Sequence, residues 1–109
     1  MNITTSVENN HTIISVDGKV DTNTSPELEK TLSELVAAGQ VNLLADFENL
    51  SFISSAGLRV LLATAKKTKA ESGTLKVCAL NPTVKEVFDI SGFSTILSVF
   101  PDRAAALSK

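Results

Sequence analysis

From Val41 to Phe47 the chain is apolar almost without interruption up to Asp46. On both sides of that run the apolar residues change to a helical period. A short apolar run without alternation suits a central strand of a parallel sheet, covered on both faces. Before it, Leu28, Leu32, Leu35 and Val36 recur at the spacing of one helix face. After it, Leu58, Leu61, Leu62 and Ala65 do the same. Parallel strands cannot be joined by a tight turn, so a strand bracketed by helices implies right-handed βαβ crossovers.

The remaining segments extend this pattern. Ile3–Val7 and Thr12–Val16 read as strands, and Glu8-Asn9-Asn10-His11 between them has the composition of a hairpin turn. Gly18 is expected to end the second strand. Ser25 is the expected N-cap of the first helix, with Pro26 at its first position, Glu27 and Glu29 at its positive end, and Gly39 closing it. The second helix starts at Ser54 or Ser55 and closes at Gly73, with Lys66, Lys67 and Lys69 near its negative end. Leu75–Leu80 is a further strand. Asn81-Pro82 opens a third helix carrying Val84, Val87, Phe88 and Ile90, stopped by Gly92. Ile96–Phe100 reads as a last strand, followed by a short Ala-rich helix. The expected order is β-β-α-β-α-β-α-β-α. This is an α/β layered domain over residues 1–109, with a mostly parallel β-sheet, an antiparallel edge hairpin and about four helices.

Composition narrows the function. A chain of 109 residues, 43% apolar, can bury one core. A net charge of −2 with scattered Lys and Arg offers no broad basic footprint, so direct nucleic-acid binding is not expected. Phe is the only aromatic type, which makes a base-stacking platform a poor fit. Cys78 is alone in an apolar run, so it reads as a structural strand residue with no disulfide or thiolate metal site. The opening Met1-Asn2-Ile3-Thr4-Thr5 has no basic region followed by an apolar stretch, and no run approaches the ~20 residues of a membrane span. A soluble, cytoplasmic protein without membrane insertion is the expectation.

Catalytic groups are scarce. His11 is the only histidine and falls in the expected turn, far from Cys78 in a strand interior. Ser54-Ser55 lacks a Gly-x-Ser-x-Gly elbow, and neither a Walker loop nor Gly-x-Gly-x-x-Gly occurs. Asp46 lies near the C-terminal end of an expected parallel strand, where a phosphoacceptor can sit. Receivers, however, also carry an acidic pair after the first strand, and Val16-Asp17-Gly18 has none, so Asp46 reads as a loop cap. No enzyme activity, metal or cofactor is expected.

The unusual segment is Phe52-Ile53-Ser54-Ser55-Ala56-Gly57-Leu58 at a strand-to-helix junction. A hydroxyl residue there is expected as an N-cap. Gly57, just inside the helix, costs about 1 kcal/mol relative to Ala, and close approach of a backbone or partner would account for it. Ile53-Ser54-Ser55-Ala56-Gly57-Leu58 and, earlier, Gly18-Lys19-Val20-Asp21 followed by Ser25-Pro26-Glu27-Leu28 resemble the STAS domain family. Within it, they resemble the bacterial anti-sigma factor antagonists. The likeness covers essentially the whole chain.

That resemblance implies a partner-switching protein with no catalysis of its own. Unphosphorylated, it would bind an anti-sigma factor that is also a serine kinase and so release a sigma factor for transcription. The kinase would phosphorylate Ser55, less favourably Ser54, and a PP2C-type phosphatase would reverse it. Ser54 stands where the family usually has an acid. Asp21, Asn23, Ser54, Ser55, Ala56, Gly57 and Arg59 are the implied partner-binding residues. Asp21 and Ser55 follow neighbouring expected strands and should line one edge of the sheet. Two other readings stand beside this one: a non-switching STAS scaffold or accessory subunit of a stress-sensing assembly or lipid-transport complex, and a small α/β enzyme.

Overall fold

The computed structural model describes residues 1–108. Its strands are β1 (Asn2–Glu8), β2 (His11–Val20), β3 (Asn42–Asp46), β4 (Leu50–Ile53), β5 (Thr74–Cys78) and β6 (Ser98–Phe100). Its helices are α1 (Ser25–Ala37), α2 (Ser55–Ala70), α3 (Pro82–Ile90), α4 (Phe93–Ile96) and α5 (Arg103–Leu107). Five strands run in the order β1-β2-β3-β5-β6, and β4 pairs with β2 away from that path. Only β1 and β2 are antiparallel, and every other pairing is parallel. The α/β layered reading, with its antiparallel edge hairpin, is what the chain forms.

Successive strand residues point to opposite faces, and the two faces are covered unequally. Ile14, Val16, Leu43, Ala45, Leu75 and Val77 meet Leu28 and Leu32 of α1, Leu58 and Leu61 of α2, and Val84 and Phe88 of α3. Their neighbours Ile13, Leu44 and Cys78 form a smaller cluster with Ala106 of α5. β3 is therefore buried on both faces, as its continuous apolar run requires. Deep burial, and then the nearby Asp46 carboxylate, push the Cys78 thiol up to about 12, so it stays protonated and inert.

Several expectations are corrected. The polar break after Phe47 leads into a separate strand, β4, and a short helix, α4, follows Gly92 and takes Ile96 from the start of the expected last strand. Five helices result, not four. Gly18 does not end β2: at φ +111° it begins the segment Gly18–Val20 that pairs with β4, and the register shifts between Gly18 and Lys19. The extra residue at that shift is Ser51 of β4, because Gly18 and Lys19 are consecutive while their partners Leu50 and Phe52 are not. His11 closes the hairpin turn as expected, with Asn9 and Asn10 at φ 49° and 63°, and also opens β2, paired with Glu8. Its Nε2 lies 3.0 Å from Lys76 Nζ, and Lys76 donates also to the Ala106 carbonyl at 3.0 Å. Ile90 is 79% exposed, outside the core, because α3 turns only Val84 and Phe88 fully inward. On α2, Leu62 and Ala65 are only half-buried, and Val60, Thr64 and Thr68 join Leu58 and Leu61 on the buried side.

Candidate functional site

β2 and β4 run parallel and end in register at Val20 and Ile53. The ladder runs one step further, with the Ser54 N–H donating to the Val20 carbonyl at 2.8 Å. The two segments singled out in the sequence therefore leave the same sheet edge side by side. Asp21 and Ser55 share that edge.

The Asp21 loop is held by its own side chains. Asp21 Oδ1 accepts from the backbone N–H groups of Asn23 at 2.9 Å and Thr24 at 3.0 Å. The Thr24 hydroxyl accepts from the Asp21 N–H at 2.8 Å and donates to the Lys19 carbonyl at 2.9 Å. Thr24, not Ser25, is the N-cap of α1, and with its hydroxyl used in the loop no side chain caps the helix start. Ser25 is the first helical residue and is buried. Pro26 lacks only an N–H that would have no helical partner at this position.

These bonds, the Thr24 N–H first, hold the Asp21 carboxyl below its ordinary range. A carboxylate with a lowered folded pKa contributes stability above its unfolded pKa and loses it as pH falls through the folded value. In urea unfolding, the wild type should exceed Asp21→Asn in midpoint at neutral pH, and the gap should close as pH falls through the lowered folded pKa of Asp21. A gap unchanged across that range would contradict this role.

At the start of α2 the two serines have different environments. Ser54 is the N-cap, with extended backbone at ψ 173°, and its hydroxyl accepts from the Gly57 N–H at a long 3.4 Å. Ser55 is the first residue of the helix and is exposed, and its hydroxyl makes no hydrogen bond among the described residues. Gly57 is buried, and a Cβ there would lie 2.7 Å from Ile53 Cγ1 and from Val20 Cγ1. The close approach that excludes a side chain at Gly57 thus comes from the domain's own strand ends. Gly57 lets α2 begin directly over β2 and β4, and it offers no surface itself. Ala56 is half-buried, while Asn23 and Arg59 are exposed.

Sequence reasoning missed two neighbours of this surface. Phe52 is 44% exposed on β4, one residue from Ile53. Glu29 of α1 and Arg59 of α2 line a groove between the two helices, with Pro26, Ala56 and Ala63. The helical spacing of Ala56 and Ala63 was a legible sign of a shallow face, but the partner helix was not.

Asp46 does more than cap its loop. Its Oδ1 accepts from the Glu48 N–H at 3.1 Å, and its Oδ2 pairs with Arg103 of α5, 2.7 Å from Nη2 and 2.9 Å from Nε. That pair, first through the hydrogen bond to Asp46, raises the Arg103 pKa above its ordinary value. A carboxylate committed in this way ties α5 to the sheet.

Comparison with known proteins is consistent with this arrangement. BtrV of Bordetella bronchiseptica, named as a candidate anti-sigma factor antagonist, is 42% identical over 94 residues, covering 86% of this chain and 81% of the relative. The anti-sigma F factor antagonist of Paenibacillus polymyxa is 29% identical over 98 residues, 89% of this chain and 84% of the relative. The crystal structure of an anti-sigma factor antagonist from Mycobacterium paratuberculosis superposes with a TM-score of 0.90 at 27% identity, covering 98% of this chain and 91% of that one. The STAS domain matches residues 2–106, and the chain belongs to the STAS domain family.

Proposed function

We propose that this protein is an anti-sigma factor antagonist, a binding module whose partner is an anti-sigma factor with serine kinase activity. In this reading the unmodified protein engages that partner through the edge formed by the Asp21 loop and the start of α2. Phosphorylation of Ser55 ends the engagement, and a PP2C-type phosphatase restores it. The observation that carries the reading is the division of labour between the serines. Ser54 is turned to the helix amides as the cap, leaving the exposed Ser55 hydroxyl uncommitted. Its relatives' names support the antagonist role.

The chemistry favours a switch at this position. A phosphoserine carries about −1.5 to −2 charges at neutral pH. At a helix N-terminus the domain tolerates that charge, because free amides and the dipole face it. A partner packed over the same helix end must desolvate a dianion, which costs several kcal/mol without a cationic partner. Phosphopeptide mapping after incubation with the cognate kinase and ATP tests the assignment. Label is expected on Ser55 in the wild type and none on Ser55→Ala. Label confined to Ser54 would overturn the choice of residue, and no label on either would favour a non-switching STAS scaffold.

A further inference from the structure

Arg59 stands one helical turn beyond Ser55 on α2. Residues at i and i+4 on a helix share one strip of surface, with Cβ atoms about 5–6 Å apart. Both side chains are exposed. Arg59 makes no hydrogen bond or ion pair among the described residues. The chain's other arginine is used differently: Arg103 is held by Asp46, Glu8 and Ser15. Glu29 lines the same α1–α2 groove as Arg59 without forming an ion pair with it. An unengaged guanidinium therefore sits on the rim of a groove of about 350 Å³, within a turn of the modified hydroxyl.

We propose that Arg59 is the internal ligand of a phosphate on Ser55. Modification then draws the guanidinium toward the helix start and away from the groove. The switch withdraws a cation from the partner surface while placing an anion beside it. This rests on the reading that Ser55 is the modified residue.

A guanidinium matches phosphate with two parallel, charge-assisted N–H···O bonds. The order is the favourable one, with the anion nearer the N-terminus and the cation one turn on, each suited to the dipole. The surrounding charges make such a ligand useful. Asp21 on the adjoining loop repels a dianion at Ser55, and exposed Lys19, whose charge acts on Asp21, is the nearby cation from β2. Arg59 is the cation on the phosphate's own helix face. In the unmodified protein the same guanidinium is available to an acidic group of the partner.

The test places phosphoserine at position 55 during translation, so that no kinase is needed, and follows the ³¹P shift of the intact protein against pH. The phosphate titrates near pH 6, and a cation beside it favours the dianion. With Arg59 present, the midpoint should lie about 0.3 pH units below that of Arg59→Gln, and Arg59→Lys should recover part of the difference. Lys66→Gln, about 16 Å from Ser55 along the helix axis and beyond the screening length at 0.15 M salt, should leave the curve in place. Superimposable curves for the wild type and Arg59→Gln would overturn the proposal. So would an equal displacement by Lys66→Gln, which would show a general charge effect. If the kinase fails to label Ser55 while the titration difference persists, the switching assignment falls and the Arg59 pairing stands. Labelling with superimposable curves removes Arg59 alone.

Discussion

Ser55→Asp is expected to fold like the wild type and to bind the anti-sigma partner at least about tenfold more weakly, a loss of roughly 1.4 kcal/mol or more. Folding is spared because Ser55 is the first residue of α2, exposed, with its hydroxyl unbonded. A carboxylate there faces the positive end of a 16-residue helix, so stability should change by no more than about 1 kcal/mol. Binding suffers because the same carboxylate must lose water under a packed partner. Ser55→Ala should retain partner binding. Isothermal titration with the purified partner, beside urea unfolding of each variant, separates the two effects. Equal affinity of Ser55→Asp and wild type would remove Ser55 from the interface. A matching loss of stability would mean that the weaker binding came from misfolding.

Gly73→Ala is expected to be the most damaging small substitution in the chain, at about 3 kcal/mol and a Tm lowered by about 15 °C. A Cβ at Gly73 would overlap the Val41 carbonyl oxygen and lie 2.6 Å from Val41 Cβ. That carbonyl also accepts from the Thr74 N–H at 2.9 Å, the bond that starts the pairing of β5 with β3. The obstacle is backbone, so no rotamer change relieves it. Gly39→Ala provides the contrast. Gly39 has φ +87° and nothing within 4 Å of its would-be Cβ, so only local strain of about 1 kcal/mol is expected. Thermal unfolding followed by circular dichroism should rank the two, and a Gly73→Ala protein as stable as Gly39→Ala would refute the steric account.

The glycines show how far local patterns carry. Gly39 and Gly92 have positive φ at their helix ends, as the sequence suggests. Gly73 was expected to do the same, but Ser72 takes the left-handed conformation at φ 62° and Gly73 makes room for Val41. Gly18 begins the part of its strand that pairs with β4 instead of ending the strand. In each case the deciding atom belongs to a segment distant in sequence. β4 escaped for a related reason. Its four residues follow no strand period, with Leu50 and Ile53 buried and Ser51 and Phe52 exposed, and its pairing with β2 skips Ser51.

The sequence by itself determined the layered α/β class, the doubly buried β3, the Leu28 and Leu32 face of α1, and the Ser-Ser segment at a helix start. Each of these depends on a period or a cap confined to a few neighbouring residues. Only the tertiary structure decided which serine is committed to the helix and which is exposed, that Asp46 is held by Arg103 of α5, and that Arg59 faces a groove shared with α1. Those outcomes depend on where separate elements are brought together by the sheet. A side chain's hydrogen-bond partners and exposure are set by that packing, and no local spacing encodes them.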